Sequence, residues 1–129
     1  RLLTHVRDVM RELPAVPRVH EDSVMAEALL SMTRGGMGMT AILEDDQVVA
    51  GIFTDGDLRR AIERGCNFRV DHVRDFMTRN PRTIGPDALA MEAVERMDSH
   101  RISQLLVVDA AGMLLGALNT HDLMQARVI

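Results

Sequence analysis

Val6-Arg7-Asp8-Val9-Met10 returns as Val73-Arg74-Asp75-Phe76-Met77, an offset of 67 residues. Further along, the offset settles at 65: Glu27-Ala28 matches Glu92-Ala93, Met32 matches Met97, Gly51 matches Gly116, Asp57-Leu58 matches Asp122-Leu123, and Ala61 matches Ala126. The change of offset falls near Leu13-Pro14-Ala15-Val16-Pro17, against Asn80-Pro81 in the second copy. Identities held in one register through a whole repeat mark a duplicated unit. A unit of roughly 60 to 65 residues buries little core alone, so the two copies are expected to pack on each other. The repeats are placed at residues 1–65 and 66–129, with a link over 66–72 too short to let them wander.

Each copy reads β-α-β-β-α. In the first, Arg18-Val19 is a short extended piece. Residues 23–34 carry Val24, Met25, Ala28, Leu29 and Met32 at helical spacing, with Asp22 or Ser23 as the expected cap and Gly35-Gly36 as the stop. Residues 39–43 and 48–53 form a hairpin around Glu44-Asp45-Asp46-Gln47, and a second helix covers 55–64, ending at Gly65. The second copy gives a helix at 87–99, strands at 104–108 and 113–118 around Asp109-Ala110-Ala111-Gly112, and a last helix near 120–127. The expected class is α/β (α+β): two small sheets related by a pseudo-twofold axis, with a cleft between equivalent ends.

Composition narrows the function. Apolar residues are 47 % and charged residues 26 %, which fits an ordinary globular chain of 129 residues. The net charge is −4, and all 15 basic residues are Arg. An acidic chain with Phe53, Phe68 and Phe76 as its only aromatic residues lacks the basic patch and stacking platforms of a nucleic-acid binder. No apolar run approaches the roughly 20 residues of a membrane helix. Cys66 is the single cysteine, so no intrachain disulfide and no all-cysteine zinc site forms; its expected role is none. His5, His20, His72 and His100 show no ligand spacing, so no metal site is expected. The chain opens on Arg1 with no signal-peptide pattern, and is read as part of a longer cytoplasmic protein.

The two strand-to-helix junctions carry the candidate chemistry. They are Gly51-Ile52-Phe53-Thr54-Asp55-Gly56-Asp57 and Gly116-Ala117-Leu118-Asn119-Thr120-His121-Asp122. Each ends its strand on a hydroxyl or amide residue and has Asp three residues on. An ionised Asp only accepts hydrogen bonds, and its two oxygens suit the paired hydroxyls of a ribose. Thr54 with Asp57, and Asn119 with Asp122, thus read as a phosphate and ribose site. The same spacing is also a helix capping box, and both readings stay open. Arg59 and Arg60 follow the first junction, where they reach an anion or form a solvated face. His121 reads as a donor to a ligand oxygen or as a plain surface residue. Gly38-Met39-Thr40 opens a strand that lines the expected cleft or merely leaves a turn. No nucleophile or acid–base pair assembles, so no catalytic residue is assigned.

Asp8-Val9-Met10, Asp75-Phe76-Met77-Thr78, Leu106-Val107-Val108-Asp109, Thr54-x-x-Asp57 and Asn119-x-x-Asp122 resemble a tandem pair of CBS domains, a Bateman module. The resemblance covers nearly the whole chain. It implies adenine-nucleotide or related ligands bound in the cleft, and regulation of an attached enzyme or transporter. Thr54 and Asp57 match the family's phosphate and ribose positions; at Asn119 the family more often has Ser or Thr. Gly38-Met39-Thr40, the run Gly51 to Arg60, and His121-Asp122-Leu123 resemble the C-terminal pair of bacterial arabinose-5-phosphate isomerases. The tail, from Asn119 to Arg127, departs from that family's His-x-His-Asp-Leu-Leu-x-Ala-Gly.

The resemblance implies a non-catalytic regulatory region behind a sugar isomerase domain in Kdo and lipopolysaccharide synthesis. It requires no cofactor; its candidate ligands are CMP-Kdo, AMP or ATP, held by Thr40, Thr54, Asp57, Arg59, Asn119, His121 and Asp122. A homodimer through the CBS pair is expected. The alternatives are a dimerisation scaffold without ligand, using helix faces such as Met25 with Met32, and an adenine-nucleotide energy sensor.

Overall fold

The computed structural model describes residues 3–129. In chain order the elements are α1 (Val6–Val9), β1 (Arg11–Glu12), β2 (Arg18–His20), α2 (Met25–Gly35), β3 (Met39–Leu43), β4 (Val49–Thr54), α3 (Asp55–Glu63), β5 (Thr78–Arg79), β6 (Thr83–Ile84), α4 (Ala90–His100), β7 (Gln104–Val108), β8 (Leu114–Asn119) and α5 (Thr120–Gln125). They group into two compact units. One is continuous, Val16–Pro81. The other is split, combining residues 3–15 with Arg82–Ile129. Each unit has a four-stranded sheet, β2-β3-β4-β5 in the continuous unit and β1-β8-β7-β6 in the split one.

The helices form where the sequence spacing asks for them. α2 buries Met25, Ala28 and Met32, and α4 buries Ala90, Ala93 and Met97 at the matching positions. In the continuous unit these side chains close on Ile42, Phe53, Ala61, Val73 and Met77. In the split unit the same layer meets Val6, Ile84, Leu105, Val107, Leu118 and Leu123. β3 and β7 fall at the expected residues, and both carry a register shift at one place, Ile42/Leu43 and Val107/Val108.

The helix starts differ from expectation. α2 begins after Val24, with no side-chain cap from Asp22 or Ser23. Its first N–H groups instead donate to carbonyls of the link: Met25 to Asp71 at 2.9 Å and Ala26 to Phe68 at 2.9 Å. α4 begins at Ala90, whose N–H donates to Thr4 O at 2.7 Å. A backbone carbonyl from another segment meets the need of an open helix end as well as a cap side chain does. Asp22 is freed to pair with Arg74, and Asp87 pairs with Arg7.

The repeated stretch thus acquires a structural meaning: it is a strap. Val6 and Val73 are fully buried. Val6 N–H donates to Ala88 O and Arg7 N–H to Pro86 O; Val73 N–H donates to Ser23 O and Arg74 N–H to Glu21 O. Each strap then adds a two-residue edge strand. β1 pairs antiparallel with β8, and β5 with β4. The duplicated glycines allow that close approach. A Cβ on Gly51 would lie 2.6 Å from Thr78 O, and one on Gly116 would lie 2.5 Å from Arg11 O. The edge strands were not legible as strands, because two residues carry no periodicity.

Candidate functional site

In the continuous unit, Thr54 ends β4 and caps α3. Its Oγ1 accepts from Asp57 N–H at 3.4 Å, while Asp57 Oδ2 accepts from Thr54 N–H at 2.9 Å. This is a reciprocal capping box. Asp57 does more than cap. Oδ2 also accepts from Thr54 Oγ1 at 3.1 Å, and Oδ1 accepts from Arg60 at 2.7 Å and from Thr78 Oγ1 at 2.8 Å. Asp57 is only 3 % exposed, so these four donors occupy the carboxylate's acceptor positions.

The split unit builds the same junction with different partners. Asn119 Oδ1 accepts from Asp122 N–H at 2.8 Å, and Asp122 Oδ2 accepts from Asn119 N–H at 3.1 Å. Here the further donor is Arg11. Its Nε lies 3.2 Å from both carboxylate oxygens, and its Nη2 lies 3.1 Å from Oδ1. The Arg11 side chain is 28 % exposed and that of Asp122 14 %. Arg11 stands one offset of 67 residues before Thr78. The straps therefore deliver equivalent positions to equivalent carboxylates, one as a hydroxyl and one as a cation.

Of the sequence candidates, the structure brings together Thr54 with Asp57, and Asn119 with Asp122. Arg59 and His121 are exposed, and neither is bonded to either carboxylate. Thr40 is fully buried, with Oγ1 2.9 Å from Ser31 Oγ on α2. Thr78 and Arg11 escaped the sequence reading as contacts of these carboxylates. Their signal was present, since each follows the repeated Met by one residue. The split unit also holds a pocket of about 340 Å³, walled by Met97, Arg101, Ile102, Ser103, Thr120 and Ile129 among others. Thr120 is the junction residue on that wall; Asn119 and Asp122 are not part of it. Among the described residues no cluster of His, Cys, Asp and Glu suits a metal ion, and no helix is long and apolar enough to cross a membrane. Burial pushes the Cys66 thiol above its ordinary value; Asp71 adds to the rise and Arg64 opposes it.

Comparisons with known proteins follow the duplicated geometry. The chain is 44 % identical over all 129 residues to the arabinose 5-phosphate isomerase KdsD of Pseudomonas aeruginosa, covering 40 % of that protein. It spans about two-fifths of the length of the curated relatives it matches. The solved CBS domain pair of protein MJ0100, in complex with 5′-methylthioadenosine and S-adenosyl-L-methionine, superposes with TM-score 0.85 at 21 % identity, over 98 % of this chain and 97 % of that one. CBSX2 in complex with AMP superposes with TM-score 0.83 at 21 % identity, over 97 % and 96 %. At that identity the two structures speak for the fold alone. The CBS domain model matches residues 6–64 and 73–129, and the chain belongs to the CBS domain family.

Proposed function

We propose that this chain is the regulatory region of an arabinose 5-phosphate isomerase, the enzyme that interconverts D-ribulose 5-phosphate and D-arabinose 5-phosphate for Kdo and lipopolysaccharide synthesis. The observation that carries the reading is 44 % identity to such an isomerase through both repeats. In the parent, a preceding isomerase domain supplies the catalytic residues and this region supplies control, in the cytoplasm. The ligand is a nucleotide-type molecule. Its ribose hydroxyls donate to Asp57 or Asp122, Thr54 or Asn119 holds its polar atoms, and an arginine meets its anionic group. CMP-Kdo, the activated end product, has the ribose and the anionic groups this requires, and end-product sensing suits an early isomerase. The MJ0100 pair and CBSX2 were solved with adenosine compounds, which keeps AMP and ATP in the comparison.

A titration with CMP-Kdo, CMP, AMP, ATP and arabinose 5-phosphate tests this, read by heat or dye-reported melting because the chain has no Trp or Tyr. A specific ligand at 100 times its Kd adds about 2.7 kcal/mol to stability. Selective CMP-Kdo binding supports end-product control; selective AMP or ATP binding moves the reading to energy sensing. A second reading has its own observation: both carboxylates are already satisfied within their units. On that reading the region is a homodimerisation scaffold, through a surface other than the expected Met25 and Met32 face, which is buried in its own unit's core. A solution mass of two chains with no response to any compound selects it.

A further inference from the structure

The two straps end on the same kind of carboxylate but bring different chemistry. Thr78 gives Asp57 one neutral hydroxyl at 2.8 Å, and its removal leaves no charge behind. Arg11 grips Asp122 through Nε and Nη2 in a part-buried contact, its side chain 28 % exposed. A neutral diol that took over Asp122 would strand that guanidinium without a counter-charge, which is costly at a part-buried site. A ligand with its own phosphate or carboxylate repairs the loss, because the guanidinium exchanges one anion for another.

Resting on the nucleotide-binding reading above, we infer that Arg11 is a charge-selective latch: only an anionic ribose compound draws it from Asp122 and thereby loosens the N-terminal strap. Two states with different contacts define the switch. In the closed state Arg11 holds Asp122, and β1 lies on β8 through Arg11↔Ala117 and Glu12↔Gly116. In the open state the ligand's hydroxyls hold Asp122 and its anion holds Arg11. The affected segment also carries the Thr4 carbonyl that satisfies Ala90 and the Val6 and Arg7 N–H groups anchored on Ala88 and Pro86. Opening at Arg11 is thus transmitted along residues 4–12 toward whatever precedes them. At Asp57 the paired arginine, Arg60, stands on α3 and is exposed, while the strap contributes only the Thr78 hydroxyl, so drawing the arginine away leaves that strap closed.

The test measures binding heat and backbone amide exchange in one series, on the chain and its Arg11→Thr variant, which carries the residue found at the sister position. The probes are the pairs CMP with cytidine and AMP with adenosine. Expected for the wild type is about tenfold tighter binding of the nucleotide than of its nucleoside. Faster exchange at residues 6–12 and 116–117 should accompany it, with residues 51–52 and 73–79 unchanged. In Arg11→Thr the strap should exchange fast without ligand, and the gap between nucleotide and nucleoside should close to less than about threefold. Nucleotide heat with no change in strap exchange overturns the latch while leaving the binding reading intact. So does a preference for nucleotide that survives in Arg11→Thr. Absence of heat from every probe overturns the binding reading, and the latch with it. Arg11→Lys guards against a folding defect: it keeps the charge but loses the two-point grip, so its strap should exchange at an intermediate rate with the nucleotide preference retained.

Discussion

The continuous and split units differ least where they are most buried and most where they hold their carboxylates. Asp57 sits 3 % exposed under four donors from Thr54, Arg60 and Thr78. Among the described residues, Asp122 leans on one side chain, Arg11, beyond its own capping box. Arg60 has its counterpart at Gln125, so the split unit lacks a cation on the helix and takes one from the strap. Two copies of one unit thus neutralise the same carboxylate from different directions. In the continuous unit the cation comes from the helix and the strap adds a hydroxyl; in the split unit the strap itself supplies the cation.

Removing the carboxylates should separate the two most. Asp57→Ala removes the buried acceptor of four hydrogen bonds, from Thr54, Arg60 and Thr78, at a cost of about 3 kcal/mol. Asp122→Ala exposes a guanidinium that water still reaches, and the discounted cost is about 1–2 kcal/mol. Urea unfolding of both variants checks the order; equal losses would mean that the difference in burial is immaterial.

The glycines come next. Gly51→Ala drives a Cβ to 2.6 Å from Thr78 O and 2.7 Å from Met77 Sδ; Gly116→Ala drives one to 2.5 Å from Arg11 O and 2.8 Å from Met10 Sδ. Each should cost about 2 kcal/mol and loosen its own strap only. Amide exchange at 73–79 against 6–12 reads that selectivity. Loosening of both straps by either variant would break the two-unit description.

Salt distinguishes the partners more finely. Arg11→Met and Thr78→Val should each cost about 1 kcal/mol at low ionic strength. In about 1 M salt, where screening acts within roughly 3 Å, the Arg11→Met penalty should shrink and the Thr78→Val penalty should hold. Parallel melts at the two salt levels decide it.

The smallest effects lie at the helix ends. Gly36 and Gly65 stop α2 and α3 with φ of 64° and 70°, whereas Arg101 and Arg127 stand in the same left-handed region after α4 and α5, at 53° and 59°. Arg101→Gly and Arg127→Gly should each stabilise by about 0.5–1 kcal/mol, and Gly36→Ala should destabilise by about 1 kcal/mol. A loss of stability in either Arg→Gly variant would mean that the arginine side chain holds contacts worth more than the backbone strain.

The repeat, the helix faces and both hairpins were legible because they are statements about local spacing. Met25, Ala28 and Met32 recur at helical intervals whatever surrounds them, and Thr54 with Asp57 is a capping pair within one turn. The helix caps expected at Asp22 and Ser23 were not realised, because carbonyls of Asp71 and Phe68, far along the chain, took that role. Thr40 followed the same logic: its place at a strand start was readable, but its pairing with Ser31 depends on how α2 lies on β3.

By itself the sequence determined that the molecule is a duplication, which apolar positions line the long helix of each copy, and that each junction ends on an Asp one turn into a helix. Those follow from periodicity and turn chemistry, which act over a few residues. Only the tertiary structure decided that Val6-Arg7-Asp8-Val9-Met10 and its copy are straps, and that Arg11 and Thr78 meet Asp122 and Asp57. The contacts span 111 residues in one case and 21 in the other. They are fixed by edge-strand pairing over a glycine, a two-residue interaction too short to announce itself in any local pattern.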